Sequence, residues 1–336
     1  MATIFDRSRR LTQFSPAQRL EYVERFGAHS LAYSTLQAGM SYLDVPEAGF
    51  IAYREYRGTR YALGDPVCAA PDRGTLIAAA FADHADTCFV QIQSGTARLL
   101  HEQWGRFCTP MGVEVALDLR TWTDRGISKQ VLRTARNQAA AQGILLTSGD
   151  EFGGDSKTLE AASRNWLQTR RVATRELAFL ARPMEIERHA AIVRYVAAKQ
   201  NQVIGFVIFD PMFLDRQVIG YTPSISRSDP TFKQGLFYVL MLRAIADFKR
   251  HGTLQVLNLG LLPLSGLRNN MMGGSSRLAA RLLTAVYTYG NRFYNFKGIE
   301  FTKARFGGEQ APVFFSHRRR LPAKEVWAVM RLSRVF

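Results

Sequence analysis

The sequence predicts an α+β protein, a mixed sheet with helices on its faces, arranged as two halves. Three observations carry that prediction. The first is length: 336 residues exceed the roughly 150 residues of a typical single domain. The second is the run 203–209, Val-Ile-Gly-Phe-Val-Ile-Phe, which is strand-sized and apolar throughout, as a strand covered on both faces must be. The third is the stretch 255–266, Gln-Val-Leu-Asn-Leu-Gly-Leu-Leu-Pro-Leu-Ser-Gly. Its first half reads as a buried strand after a helix closed by His251-Gly252. Its second half holds Gly260, Pro263 and Gly266, which predict that the chain leaves the sheet in an irregular turn with unpaired N–H groups. A strand that delivers free N–H donors at its carboxyl end is where open α/β sheets hold ligands.

The elements follow in order. Residues 15–26 predict an amphipathic helix with Ser15 as N-cap and Pro16 at its first position. Runs 49–53 and 60–63 flank Arg57-Gly58 and predict a hairpin, closed by Gly64-Asp65-Pro66. Residues 73–84 predict a helix, 87–93 a strand, and 113–119 alternate apolar and acidic positions. Residues 129–142 predict a helix with Lys129, Arg133 and Arg136 on one face, which suits either solvent or phosphates. The polar stretch 151–157, with Gly153-Gly154, separates a first unit (1–155) from a second (156–336). The second unit predicts a helix at 159–169, a strand at 177–181, and a helix at 188–199 that could instead extend a strand. Strands at 203–209 and 218–224, a long helix at 234–250, the strand 254–259 and a helix at 277–288 complete it.

Composition bounds the function. Hydrophobic residues at 47% and charged residues at 21% are those of a globular protein, which excludes a disordered or fibrous chain. Forty-four Lys plus Arg against 28 Asp plus Glu give a net charge of +16. Such a balance attracts a polyanion, either nucleic acid or an anionic membrane surface, unless it only keeps the protein soluble. Cys68, Cys88 and Cys108 are odd in number and widely spaced, so neither a disulfide framework nor a zinc site is expected, and a reducing cytoplasm fits. No apolar run nears the roughly 18 residues of a membrane span, and the polar start 1–10 has no apolar signal core.

Several motifs, in order, carry a resemblance. The run Leu257-Asn258-Leu259-Gly260-Leu261-Leu262-Pro263-Leu264-Ser265 resembles the Phe-Asn-Leu-Gly-Met-Ala-Pro-Leu-Ser signature of the C-terminal catalytic domain of bacterial lysylphosphatidylglycerol synthetases, the multiple peptide resistance factors. Gly64-Asp65-Pro66, the segment 115–119 with Leu132-Arg133 and Arg136-Asn137, Trp166-Leu167, Glu176 and Phe179 keep that family's order. So does Phe296-Lys297-Gly298-Ile299 with Lys303, Arg305 and Phe306. The resemblance covers about residues 25–320. It implies tandem GNAT-like domains that move an aminoacyl group from a charged tRNA to a lipid head group, with no cofactor and no metal. It also shows departures: Ser224 and Tyr238 stand where the family has carboxylates, and Glu300 where it has an arginine, which implies a changed acceptor.

An aminoacyl ester is already activated, so the site must stabilise charge on the carbonyl oxygen, and backbone N–H groups of 260–266 are candidates, unless the segment is a plain connection. The expected catalytic set is Asn258, Gly260, Leu261 and Arg227, the last contacting a phosphate or the carbonyl unless it merely pairs with Asp229. The expected substrate-binding set is Lys303, Arg305, Ser265, Arg268, Asp65 and Arg133, with Arg318-Arg319-Arg320 as further cations for the phosphates of aminoacyl-tRNA. Gly273-Gly274-Ser275-Ser276 opens a helix that could take an anion or simply turn. His29 and His251 are isolated histidines, either of which could act as a base or simply be structural, and neither is placed in the expected site. The basic amphipathic segment 323–336 suits an anionic membrane surface or the body of the protein. The expected place is the cytoplasm, at the inner face of the membrane if the acceptor is lipid. The alternatives are an acyl-CoA-dependent acyltransferase on the same fold, although its Gln/Arg-x-x-Gly-x-Gly/Ala arrangement is missing, and a non-catalytic tRNA- or membrane-surface binding protein.

Overall fold

The structure, a computed structural model, describes residues 13–152, 156–169, 176–185, 189–229, 235–290 and 295–335. The start 1–10, Gly153-Gly154, Asp155, Arg188, Gln234 and Phe336, used above, lie outside them. The first half opens with helix α1 (Pro16–Phe26), where Ser15 Oγ accepts the Gln18 N–H and the Gln18 side chain returns to the Ser15 N–H, a complete capping box. A three-strand meander follows: β1 (Ser41–Val45), β2 (Gly49–Tyr56) and β3 (Thr59–Leu63). Arg57 and Gly58 both have positive φ, 50° and 74°, the mirror-image turn whose twist suits a two-residue hairpin. After the short β4 (Val67–Cys68), helix α2 (Arg73–Asp83) crosses to β5 (Thr87–Gln93), which pairs parallel to β3; helix α3 (Ser94–Trp104) then leads to β6 (Phe107–Asp118).

Helix α4 (Gln130–Ala141), strand β7 (Leu145–Ser148) and helices α5 (Gly149–Phe152) and α6 (Ser156–Thr169) connect the halves. The second half then repeats the first. The meander is β8 (Val193–Lys199), β9 (Gln202–Leu214) and β10 (Gln217–Ser228); helix α7 (Leu236–His251) crosses to β11 (Val256–Pro263), parallel to β10. Helices α8 (Arg277–Tyr289) and α9 (Phe296–Ala304) lead to β12 (Glu309–His317), and α10 (Ala323–Leu332) ends the chain. The expected tandem of mixed sheets flanked by helices is what the chain forms.

The two last strands are exchanged. β6 of the first half pairs with β11 of the second, β12 of the second pairs with β5 of the first, and β6 and β12 pair with each other. One sheet of twelve strands therefore runs through both halves in the order β1-β2-β3-β5-β12-β6-β11-β10-β9-β8-β7, with β4 beside β2. The division at 155/156 stays a proposal; strands from both sides of it share this sheet. Helices cover both faces. On β9, Val207 and Phe209 join the α4 and α7 core, while Phe206 and Ile208 meet Leu159 of α6, the alternation a doubly covered strand requires.

Three expectations need correction. Residues 193–199 are strand, not helix, because pairing with β9 overrides the helix-compatible Ala-Ala-Lys ending. Residues 177–181 form no strand: Phe179 has φ 64° and its N–H and C=O are both taken by the side-chain amide of Gln37, at 2.9 Å each. That side chain stands in for a neighbouring strand. Finally, the chain does not leave the sheet at Gly260. β11 continues to Pro263, and Leu261 and Leu262 pair with Glu114 and Val113, because a bulge between Asn258 and Leu261 absorbs the irregularity.

Candidate active site

The parallel pair β10·β11 holds register only at Gly220↔Val256 and Tyr221↔Leu257, and then the strands part. Gly220 allows the closest approach, since a Cβ there would stand 2.2 Å from Val256 O. Past it, Pro223 has no N–H to offer, and Gly260, at φ 75°, turns β11 toward β6. The wedge opens into a cleft of about 590 Å³. Thr222, Ser224 and Arg227 of β10 line one wall, and Gly260 and Leu261 of β11 line the other.

Lys303, near the end of α9, points into this cleft and donates from Nζ to Leu261 O at 3.0 Å. Its side chain is partly buried at the cavity wall, and that desolvation pushes its pKa down to about 8, against the attraction of Glu114. Beneath Gly260 lies a polar network. Asn258 Oδ1 accepts the Gly260 N–H at 2.7 Å, and Asn258 Nδ2 donates to Glu114 Oε2 at 2.9 Å. Glu114 Oε1 accepts from Ser30 Oγ and Gln91 Nε2, both at 2.7 Å.

The opposite wall carries two arginines. Arg227 donates to Glu176 Oε1 at 2.9 Å and to Ser163 Oγ at 3.1 Å, with its guanidinium 4.4 Å from the Trp166 ring centroid. Glu176, a residue of the resemblance motif, is thus a salt-bridge partner of Arg227 among the described residues. Arg182 and Asp210 form a buried two-point pair at 2.6 and 3.0 Å, and Ser224 Oγ donates to Asp210 at 2.9 Å. An aspartate at 224 would stand against Asp210, so serine there is consistent with its neighbour. Tyr238, the other departure, is buried against Phe306 in the core. The far end of the cleft is apolar, walled by Leu283 and Val286 of α8 and Val326, Val329 and Met330 of α10. The segment 323–335 therefore packs on the protein body and turns its apolar face to the cleft.

The sequence candidates divide accordingly. Gly260, Leu261, Arg227 and Lys303 meet at the cleft, with Asn258 directly below. Ser265 bonds Glu300 at 2.6 Å, and Arg268 lines a separate, smaller depression with Gly266 and Asn269. Arg305 stacks on Phe301 at 4.1 Å, away from Lys303, so the two do not form one phosphate surface. Arg133 holds the carbonyls of Asp124 and Gly126, and Asp65 is buried at the β3·β5 junction, accepting the Gln93 N–H at 3.1 Å. The expected row of free N–H donors is a correction: those of Gly260, Leu264 and Ser265 are taken by Asn258 Oδ1, Met111 O and Leu262 O. Gly274 is packed on the His101 ring and Ser276 caps α8 with its own side chain, so that helix start is filled. His29 is half-buried beside Asp65 and desolvation lowers its pKa; all three cysteines are buried thiols pushed up to about 12. Glu114, Gln91 and Arg182 were missed, since each is a lone polar residue in an apolar run. Glu114 alone left a trace, as the acidic residue alternating within 113–119.

Residues 20–316 match the family described as phosphatidylglycerol lysyltransferase, C-terminal. The chain is similar in structure to the L-PGS of Bacillus licheniformis, with TM-score 0.76 and 17% identity, covering 95% of this chain and 96% of that one. It is similar also to a C-terminal domain assigned to lysylphosphatidylglycerol synthetase from Agrobacterium fabrum, with TM-score 0.75 and 19% identity over 94% and 96% of the two chains. In sequence it is 24% identical over 303 residues, 87% of this chain, to an uncharacterised protein of Corynebacterium glutamicum. The chain spans 37% of that relative's length. No helix among the described residues is long and apolar enough to cross a membrane.

Proposed function

Because this chain belongs to the phosphatidylglycerol lysyltransferase C-terminal family, we propose that the cleft between β10 and β11 transfers an aminoacyl group from aminoacyl-tRNA to a lipid head group or a small amine or hydroxyl acceptor. The observation that carries this reading is Lys303: a partly buried ammonium beside the Gly260 bulge, in a cleft with one polar and one apolar end. Attack on the ester carbonyl places negative charge on its oxygen. A preorganised cation in a site poor in water stabilises that charge far better than it would in solvent. Leu261 O engages Nζ, and an ammonium has three donors, so donors remain for the substrate. The acceptor's oxygen or nitrogen bonds to the carbonyl carbon and gives up its proton, the ester C–O bond breaks, and the departing tRNA ribose oxygen takes up a proton and leaves as a hydroxyl.

The apolar end between α8 and α10 suits the upper part of an acyl chain, which favours the lipid acceptor. A cleft of about 590 Å³ holds a head group and the chain segments next to it, within the usual range of ligand sites. Arg227 and the exposed Arg318, Arg319 and Arg320 are the cations offered to phosphates. With a lipid acceptor the protein works at the inner face of an anionic membrane.

The test is transfer of label from charged tRNA to lipid in vesicles containing phosphatidylglycerol, followed across pH. Product is expected, and because the ammonium form of Lys303 is the active one, the rate falls as pH rises through about 8. A rate that climbs through that window would make Lys303 a base instead. No product from any charged tRNA, together with thermal stabilisation by coenzyme A, would replace the reading with acyl-CoA chemistry.

A further inference from the structure

The exchanged strands bring an unexpected residue to the centre of the molecule. Each half carries a left-handed residue on the strand after its crossover helix: Gln91 on β5 at φ 59° and Gly260 on β11 at φ 75°. Each sits at a break in the ladder, β5 against β12 and β11 against β6. Glu114 lies on β6, opposite Leu261 on one side and Ala311 on the other. Its Oε1 accepts from Gln91 Nε2 at 2.7 Å, its Oε2 from Asn258 Nδ2 at 2.9 Å, and Asn258 in turn fixes the Gly260 N–H. Ser30 Oγ is the third donor, at 2.7 Å. The carboxylate is 7% exposed, and no Lys or Arg forms an ion pair with it among the described residues.

We infer that Glu114 is the positioning residue of the transfer site: one carboxylate, supplied by the first half, ties the bulge of β5 to the bulge of β11 and so sets the Leu261 carbonyl that receives Lys303. This rests on the transferase reading above. A buried carboxylate without a paired cation is costly, and three neutral donors here hold it in one orientation. Its charge serves Lys303. The other charged or titratable groups near that lysine are engaged elsewhere: Glu300 with Ser265 and the Tyr287 hydroxyl, Arg227 with Glu176, Lys129 with the carbonyls of Arg305 and Phe306, while Lys297 lies near the Tyr287 ring. His29, half-buried near Glu114 and Asp65, is pushed toward its neutral form by the desolvation that lowers its pKa. Burial drives the Lys303 ammonium toward its neutral form and Glu114 opposes that.

The experiment is Glu114→Gln, which keeps size and removes charge. Lys303 is probed directly, by competitive acetylation with acetic anhydride across pH and mass spectrometry of its peptide. The wild-type midpoint is expected near about 8. In the variant it should fall, and Lys303 should label about fivefold faster at pH 7. Transfer should lose about tenfold or more in kcat, with its alkaline limb moved to lower pH and KM for aminoacyl-tRNA little changed. Ser30→Ala, which removes one donor and no charge, should leave the Lys303 midpoint in place. A folded Glu114→Gln protein with an unmoved midpoint overturns the inference. If that variant does not fold, Asn258→Ala cuts the tether from the other side; it should lower kcat without moving the midpoint, and an unchanged kcat overturns the inference. The labelling arm needs no turnover, so a moved midpoint in a protein that transfers nothing would sink the transferase reading and leave the Glu114–Lys303 coupling standing.

Discussion

The two parallel junctions of the sheet have the same connectivity and opposite outcomes. In the first half β3 and β5 stay in register from Arg60↔Thr87 to Leu63↔Val90, and the Gly64 N–H extends the ladder to Val90 O at 2.8 Å. Asp65 then accepts the Gln93 N–H and seals the end. In the second half register stops after Tyr221↔Leu257, Pro223 offers no donor, and the gap becomes the cleft. The difference is a few backbone hydrogen bonds. A binding site on this fold arises where a parallel ladder stops early and no side chain seals the end of the wedge as Asp65 does in the first half.

The strongest way to break that contrast is to neutralise the open junction. Lys303→Met keeps the length of the side chain and removes its charge. Transfer should fall by about 100- to 1000-fold, the scale of losing one preorganised oxyanion donor. Stability should move the other way. A lysine held at about 8 instead of its ordinary 10.5 is disfavoured in the folded state at neutral pH, so the variant should gain about 1–2 kcal/mol there, less the lost bond to Leu261 O. Denaturant titration beside a transfer assay checks both signs. Wild-type transfer rates in Lys303→Met would mean the open wedge is not where chemistry occurs.

The closed side has a pH signature of its own. His317 ends β12, buried, with Nδ1 2.7 Å from Arg319 O and Nε2 2.9 Å from Thr109 Oγ1, which in turn accepts the Ser276 N–H at 3.2 Å. Nδ1 donates and Nε2 accepts, so the ring belongs there neutral, and burial pulls its pKa down to about 4 from 6.5. The unfolded chain takes up a proton that the folded chain refuses. Stability is therefore fully present above about pH 6.5 and declines as pH falls toward 4, by up to about 3 kcal/mol. In His317→Asn that slope should vanish from the denaturation midpoint, while transfer per folded molecule holds. A slope that persists would place the acid sensitivity elsewhere.

Much of this was legible in the sequence, and the exceptions have a common cause. Ser15-Pro16, Arg57-Gly58 and the apolar run 203–209 were read correctly because their signals are local. The motif 257–265 and Lys303 pointed to the cleft. What sequence could not give was pairing at a distance: Gln37 satisfying Phe179, β9 recruiting 193–199 as a strand, and β6 and β12 changing places. The free N–H groups expected at 260–266 were filled by Asn258, Met111 and Leu262, two of them neighbours in the chain and one not. Glu114 shows in sequence only as an alternating acidic residue, because the partners that give it a role, Gln91 and Asn258, lie 23 and 144 residues away.

The smallest expected effect is the most diagnostic for the comparison. Asp65 belongs to the Gly64-Asp65-Pro66 motif, yet it is 4% exposed and does not line the cleft. Its Oδ1 takes the N–H of Gln93, the residue before α3, while its Oδ2 is buried with no hydrogen-bond partner among the described residues. Asp65→Ala removes a needed acceptor, which costs about 1–2 kcal/mol, but it also removes a poorly satisfied buried charge, which returns part of that. The net should be a loss near 1 kcal/mol with transfer per folded molecule within about twofold of wild type. A tenfold fall in transfer at unchanged stability would mean that the first junction reaches the substrate after all. The two halves would then share one site across the exchanged strands, and the closed junction would have to be read as the second half of it.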